Sequence, residues 1–318
     1  MDTILIGSKS FGVSEAVMRR LKSFIDTTSL NIIYHNNPRP IPYNKVTGII
    51  AGTEPYHQSL LKKMPNLKVI SRMGVGYEQI DLEYCAAHNI TVTYTPYGPT
   101  QSVAECTIAY ILMLARNLSI VNKAMHDGNW HKDMGYQISE LSIGILGAGR
   151  IGKTVIGLLQ KFMPHQLYVC DTNPKIRDNF LKFDLKWVDI DKLFKYSNFV
   201  TLHIPLGDSN YHIVTTDLLN SMPSNAAIIN TSRGGLIDEE VLCSALSRHT
   251  INGAAIDVFE QEPYTGILEQ YDNVILSPHI SSMTLTARHK MEIGALDDCI
   301  AVLNNKQPMN GVPYDSSK

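Results

Sequence analysis

Ser142-Ile143-Gly144-Ile145-Leu146-Gly147-Ala148-Gly149-Arg150-Ile151-Gly152 is the stretch whose reading decides the fold. The apolar run Ser142 to Leu146 reads as a buried strand, and the pattern Ile151, Val155, Ile156, Leu158, Leu159 beyond the glycines reads as a helix. Three glycines alone also occur in ordinary strand-to-helix turns. Strand, glycines and helix in this order give each glycine a task. Gly147 permits the tight turn, Gly149 lets a pyrophosphate approach bare backbone, and Gly152 lets helix and strand pack closely. The helix then begins with unpaired N–H groups and the positive end of its dipole, both suited to phosphate. Asp171, about 20 positions on, closes the next apolar run, Leu167 to Val169. A carboxylate there accepts from both ribose hydroxyls and repels a 2′-phosphate, so the expected cofactor is NAD rather than NADP.

Global properties narrow the class. The 318 residues suffice for about two domains with substantial cores, and the formal net charge of −2 gives no reason to expect nucleic acid or an anionic membrane as partner. The five cysteines, Cys85, Cys106, Cys170, Cys243 and Cys299, form no Cys-x-x-Cys pair, as expected of reduced thiols in the cytoplasm. The N-terminus runs directly into the strand-like Thr3-Ile4-Leu5-Ile6, with no basic and apolar leader. The longest apolar stretch, Val103 to Ala115, contains Glu105 and is too short to span a bilayer. The histidines show no ligand clustering; around Trp130, the segment His126 to His131 has only Asp127 and Asp133 as acidic company, so no metal is expected.

Strand-like runs near Thr3–Ile6, Asn31–Tyr34, Gly48–Ala51, Lys68–Ser71 and Thr91–Thr93 precede the glycine motif. A second series follows it near Val200–His203, Ala226–Asn230, Gly253–Asp257 and Asn273–Ser277. Such alternation with helices predicts parallel α/β architecture. The Pro/Gly loop Thr95-Pro96-Tyr97-Gly98-Pro99 is the natural break, followed by an apolar helix over about Gln101 to Asn117 that is a candidate bridge between domains. A last helix, about Ser282 to Asn304, is expected to return to the first domain, leaving a short tail, Tyr314-Asp315-Ser316-Ser317-Lys318. The expectation is therefore two Rossmann-like or flavodoxin-like domains, 1–97 completed by 283–318 and 98–282, with the active site in the cleft between them.

Three residues beyond the glycine motif sit where strands end. Arg233 lies in Asn230-Thr231-Ser232-Arg233-Gly234-Gly235, Glu262 in Asp257-Val258-Phe259-Glu260-Gln261-Glu262-Pro263, and His279 in Ser277-Pro278-His279. Ligands of open α/β sheets bind at the carboxyl ends of strands. These segments would bring a cation, an acid and an imidazole to the nicotinamide end of a dinucleotide. Singly, each is an ordinary loop or surface residue; in this order behind the glycine motif they form a specific set.

The chain resembles the D-isomer-specific 2-hydroxyacid dehydrogenase family. The motifs concerned are Gly-Ala-Gly-Arg-Ile-Gly, His203-Ile204-Pro205-Leu206, Asn-Thr-Ser-Arg-Gly-Gly, Asp-Val-Phe-Glu-Gln-Glu-Pro and Ser-Pro-His-Ile. Upstream, Ser71-Arg72-Met73-Gly74-Val75-Gly76, Gln101-Ser102-Val103-Ala104-Glu105 and Asp127-Gly128-Asn129-Trp130 extend it over nearly the whole chain. Within the family the chain looks most like the catalytic core of 3-phosphoglycerate dehydrogenase and its relatives, without the C-terminal regulatory extension many of them carry. The resemblance implies an NAD-dependent enzyme moving a hydride between nicotinamide and C2 of a small 2-hydroxyacid or 2-oxoacid, and a homodimer.

It also implies roles. Arg233 clamps the substrate carboxylate and C2 oxygen with a planar fork of donors. His279 gives a proton to the C2 oxygen in reduction and removes it in oxidation, and Glu262 orients His279. Arg150, Ile151, Asp171, Thr231 and Ser232 contact the cofactor, and Asp257 binds the nicotinamide amide. For the substrate, Arg72 is an anion contact and the turn Gly74-Val75-Gly76 offers backbone N–H groups to a carboxylate. One departure bears on substrate choice. Phosphoglycerate-type members often carry a further cation after the third strand, where this chain reads Ala51-Gly52-Thr53-Glu54-Pro55. Hydroxypyruvate or glyoxylate therefore stands as the alternative to a phosphorylated acid. Smaller departures are Phe162-Met163-Pro164-His165, which lengthens a loop and leaves His165 at the surface, and Cys170, where the family often has Tyr. Corepressors on the same fold keep the Arg/Glu/His set while using the dinucleotide for assembly, so an NADH-sensing binding protein is the reading from another class.

Overall fold

In the computed structural model, residues 2–27, 30–36 and 38–312 are described, and the tail at 314–318 lies outside them. The chain divides into two compact units, Met1–Pro99 with Met283–Lys318, and Thr100–Ser282. The first runs β1 (Thr3–Ile6), α1 (Glu15–Thr27), β2 (Asn31–Tyr34), β3 (Gly48–Ala51), α2 (Gln58–Leu61), β4 (Val69–Arg72), α3 (Leu82–Ala87) and β5 (Thr91–Thr93). Its strands form one parallel sheet in the order β2-β1-β3-β4-β5, the doubly wound order of flavodoxin-like folds. Alternate residues serve opposite faces, the period of a strand. Leu5, Ile49, Ala51, Ile70 and Val92 pack on one face, and Ile4, Ile6, Ile50 and Val69 on the other.

The second unit runs α4 (Thr100–Ala115), α5 (Leu118–His126), β6 (Ser142–Leu146), α6 (Arg150–Leu159), β7 (Gln166–Cys170), β8 (Lys186–Trp187), α7 (Ile190–Tyr196), β9 (Phe199–Leu202), α8 (Thr216–Ser221), β10 (Ala227–Asn230), α9 (Glu239–Ser247), β11 (Gly253–Ile256) and β12 (Val274–Leu276). Its parallel sheet has the order β12-β11-β10-β9-β6-β7-β8. Counted from β6, this is the Rossmann order with one added strand, and the order reverses between β6 and β9. Ile143, Ile145, Ala227, Ile229 and Ala255 face α4 and α6; Leu146, Val200, Leu202, Ile228 and Ala254 face α7, α8 and α9. Each leucine, isoleucine or valine among them, lost from water, contributes about 1.5–3 kcal/mol. A sheet covered on both faces has apolar strands throughout, which is why these strands are readable as short runs.

α10 (Leu285–Leu303) completes the first unit, with Ala287, Met291, Ala295, Leu296 and Cys299 buried in the core formed by Ile4, Ile6, Ile50 and Val69. Two local differences from the sequence expectation stand out. The helix expected over Gln101 to Asn117 ends at Ala115 and bends by 67° into α5, with Asn117 at φ +49°. Asn tolerates this left-handed turn better than most residues. Also, β8 has two residues, one of them Lys186, and carries no periodic signal. No single helix among the described residues is long and apolar enough to cross a membrane.

Candidate active site

The switch point between β6 and β9 carries the glycine turn. Gly147 sits at φ +94°, and a Cβ there would lie 2.6 Å from the His203 carbonyl oxygen. A Cβ on Gly152 would lie 2.0 Å from the Gly147 oxygen, so helix and turn meet backbone to backbone. Gly149, the residue before α6, is exposed with nothing within 4 Å of its Cβ position, and no side chain caps the helix. The first N–H groups of a ten-residue helix therefore face an open cradle. Arg150 is exposed and Ile151 partly buried at its rim.

Asp171 follows β7. Its carboxylate accepts from the N–H of Ala148 (2.8 Å) and of Asn173 (2.8 Å), which ties the acid to the glycine turn. A carboxylate offers about four lone-pair sites, so acceptor capacity remains for two ribose hydroxyls. Beside the turn, burial holds His203 at about 3, hence neutral, and its Nδ1 is buried without a partner among the described residues. Uncapped helix, glycine backbone and acid together fit a dinucleotide.

The Asn230–Gly235 loop leaves β10. Asn230 closes it, donating to the Arg233 carbonyl (2.8 Å) and accepting from the Ser232 N–H (3.0 Å). Ser232 donates its hydroxyl to the Leu202 carbonyl (2.6 Å), and Thr231 pairs with Thr107 (3.2 Å). Both hydroxyls thus help to hold the loop within the protein. A Cβ on Gly234 would lie 2.0 Å from the Phe259 carbonyl carbon and 2.3 Å from the Glu260 nitrogen. The Arg233 loop thus rests directly on the backbone of the loop leading to Glu262.

Glu262 and His279 meet. His279 Nδ1 lies 3.1 and 2.9 Å from the two Glu262 oxygens, and the Phe259 N–H donates to Glu262 Oε1 at 3.3 Å. Burial alone would raise the Glu262 pKa. The hydrogen bond and charge of His279, the Phe259 N–H and the charge of Arg233 outweigh it, and Glu262 lies below the ordinary carboxylate range. With Nδ1 engaged, Nε2 is the nitrogen left to exchange a proton with a ligand. His279 itself stands at φ +54°, a conformation non-glycine residues keep only when the surroundings hold them. Its N–H donates to the carbonyls of Asp257 (2.8 Å) and Ser277 (3.0 Å).

Asp257, expected at the nicotinamide amide, lies among protein donors. It is fully buried, and its carboxylate accepts from Ile280 N–H (2.9 Å), Ser277 Oγ (2.5 Å), Ser281 N–H (2.9 Å) and Ser281 Oγ (2.5 Å), with the Tyr110 hydroxyl at 3.4 Å. A nicotinamide amide would have to displace one of these donors. What the geometry gives Asp257 is the anchoring of the loop that bears His279. Tyr110, Ser277 and Ser281 are positioning residues the sequence reading missed; Tyr110 is remote in sequence and reads as one more apolar helix position.

In the first unit, the Arg72 guanidinium folds back onto its own turn, with Nη1 donating to the Met73 carbonyl. Gly74 at φ +144° donates its N–H to Thr95 Oγ1 (2.7 Å), so that group is not offered to a carboxylate as expected. Val75 is partly buried beyond it. Among the described residues no group of His, Cys, Asp and Glu could hold a metal.

A dinucleotide cradle at a Rossmann switch point, with a cation and an oriented imidazole on the neighbouring strand ends, is the apparatus of a nicotinamide-dependent dehydrogenase. Residues 108–281 match the NAD binding domain of the D-isomer specific 2-hydroxyacid dehydrogenases, and the chain belongs to that family. It is an NAD-dependent oxidoreductase of 2-hydroxyacids. Glyoxylate reductase of Thermofilum pendens is 36% identical over 264 residues, 80% of this chain and 78% of that protein. Glyoxylate/hydroxypyruvate reductase B of Escherichia coli is 33% identical over 281 residues, 85% of each. The D-lactate dehydrogenase of Aquifex aeolicus, solved with NAD and lactic acid, superposes with a TM-score of 0.85 at 25% identity, covering 99% of this chain and 100% of that one.

Proposed function

We propose that the protein reduces small unphosphorylated 2-oxoacids, glyoxylate and hydroxypyruvate, with NADH. NADH supplies the hydride that reaches C2. Arg233 holds the substrate carboxylate and C2 oxygen in its planar fork. His279 delivers a proton from Nε2 to that oxygen, while Glu262 fixes the ring through Nδ1. The depressed pKa of Glu262 keeps its charge in place for this task.

The phosphoglycerate-type preference that the resemblance first suggests is the weaker of the two substrate readings. The relatives above are glyoxylate and glyoxylate/hydroxypyruvate reductases. The observation that carries the choice is Glu54. It follows β3 where a phosphate-binding cation would be needed, its Oε2 is buried without a partner among the described residues, and its charge reaches Tyr56 together with that of Arg72. A phosphate dianion brought to Arg72 would feel the charge of Glu54 nearby; a mono-anionic acid leaves Arg72 sufficient as an anion contact. Five unpaired cysteines support a cytoplasmic setting, and exposed Trp130 and Met134 support a homodimer.

Steady-state NADH oxidation tests the proposal. Glyoxylate and hydroxypyruvate should each exceed phosphohydroxypyruvate in kcat/KM by at least about ten-fold, the worth of one unfavourable charge contact. Arg233→Ala should abolish the turnover. A preference for phosphohydroxypyruvate would overturn the reading.

A further inference from the structure

Three segments of the second unit converge behind Glu262, at a cluster the chemistry above does not use. His212, in the loop after β9, stands at φ +52°, a left-handed conformation for a non-glycine residue. Its N–H donates to the Gly235 carbonyl (2.8 Å), so its backbone is tied to the loop that carries Arg233. Its Nε2 is hydrogen-bonded to Glu260 Oε1, and its Nδ1 lies 3.5 Å from Asp238 Oδ2, the residue that caps α9. The Tyr211 ring stacks on the imidazole (centroids 3.9 Å apart, planes at 19°), and its hydroxyl donates to the same Glu260 oxygen at 3.2 Å.

Glu260 is two residues before Glu262 in one loop. That loop is held from within as well. Tyr264, two residues beyond Glu262, stacks on Phe259 (4.1 Å, 19°). Phe259 in turn donates its N–H to Glu262. The path from His212 to the proton-bearing imidazole therefore runs His212, Glu260, Phe259–Glu262, His279, with no water needed to complete it.

From this arrangement we infer that His212 is a positioning residue for the hydride-transfer site: by bridging Glu260 and Asp238 it locks the Glu262 loop against the Arg233 loop. The inference rests on the roles proposed above for Glu262 and His279. The side chains of His212, Asp238 and Glu260 are 30%, 33% and 37% exposed, so solvent screens the pair and its value to global stability is small. Its effect is geometric. A loop that drifts takes Glu262 off Nδ1, and small misplacements of catalytic groups cost rate steeply.

The test uses the full-length enzyme with NADH and its best 2-oxoacid. His212→Ala should lower kcat on the order of ten-fold and leave the NADH Kd from fluorescence titration within about two-fold. His212→Gln, whose amide still donates to Glu260, should recover most of kcat. The unfolding midpoint should move by less than about 3 °C. Unchanged kcat in His212→Ala would overturn the inference, as would a parallel loss of NADH affinity and stability, which marks a merely structural role. His279→Asn, run alongside, separates the two levels: if it keeps turnover, the proposed chemistry fails; if it loses turnover while His212→Ala matches wild type, only the role of His212 fails.

Discussion

Asp257 and Ser281 are joined twice: the carboxylate accepts from the Ser281 N–H at 2.9 Å and from its hydroxyl at 2.5 Å, both buried. Together with the Ile280 N–H on the other oxygen, this fixes the two residues that follow His279. The backbone after His279 is thus held by a buried acid, and the ring itself by a partly exposed one, Glu262.

Asp257→Asn makes the first contribution measurable. An amide cannot accept all the donors now pointed at a carboxylate, and buried donors left unmatched cost about 1–3 kcal/mol each. The variant should unfold at lower denaturant by about 2 kcal/mol and lose turnover through a displaced His279. Chemical denaturation with wild-type stability would show that the buried acid does not anchor this loop.

His279→Asn isolates the proton. Asn tolerates the left-handed backbone at φ +54°, so the loop keeps its path while the titratable ring is lost. Turnover should fall by about 10²- to 10⁴-fold, with the NADH Kd nearly unchanged in fluorescence titration. Equal losses in both would remove His279 from proton transfer.

For Glu262 the sign of the pH effect follows from its lowered pKa. A carboxylate held below its unfolded value stabilises the fold above that value, ordinarily 4.5, and ceases to do so as pH falls through the folded pKa. The Glu262–His279 pair should therefore persist at pH 5 and fail only in the range below 4.5. Glu262→Gln removes the charged partner of His279 Nδ1, so kcat/KM for reduction should fall on the order of 10²-fold. Wild-type kcat/KM would contradict this coupling.

Much of this architecture is legible in the sequence because both sheets are parallel and covered on two faces. Runs such as Ala227–Asn230 and Gly253–Ile256 carry no outward polar residues to blur them. The glycine turn is legible because Gly147 and Gly152 answer to backbone atoms, a need no other residue meets. What escapes is whatever depends on partners far apart in the chain. The burial of Asp257 behind Tyr110 and Ser281, the use of the Gly74 N–H by Thr95, and the grip of His212 on Glu260 leave no local pattern. The bend at Asn117 escapes for another reason: apolar periodicity runs through it, and only the φ of a single residue marks the break.

The contact at Gly234 has a reach beyond its size. With Phe259 and Glu260 backbone where a Cβ would stand, the segment carrying the cation and the segment carrying the acid meet there with no side chain between them. Any side chain at this position would part them. Descendants of such a chain that acquire new substrates would inherit this block unaltered and diversify elsewhere, in replaceable loops such as Gly52–Pro55, so that selectivity drifts while the hydride chemistry stands still.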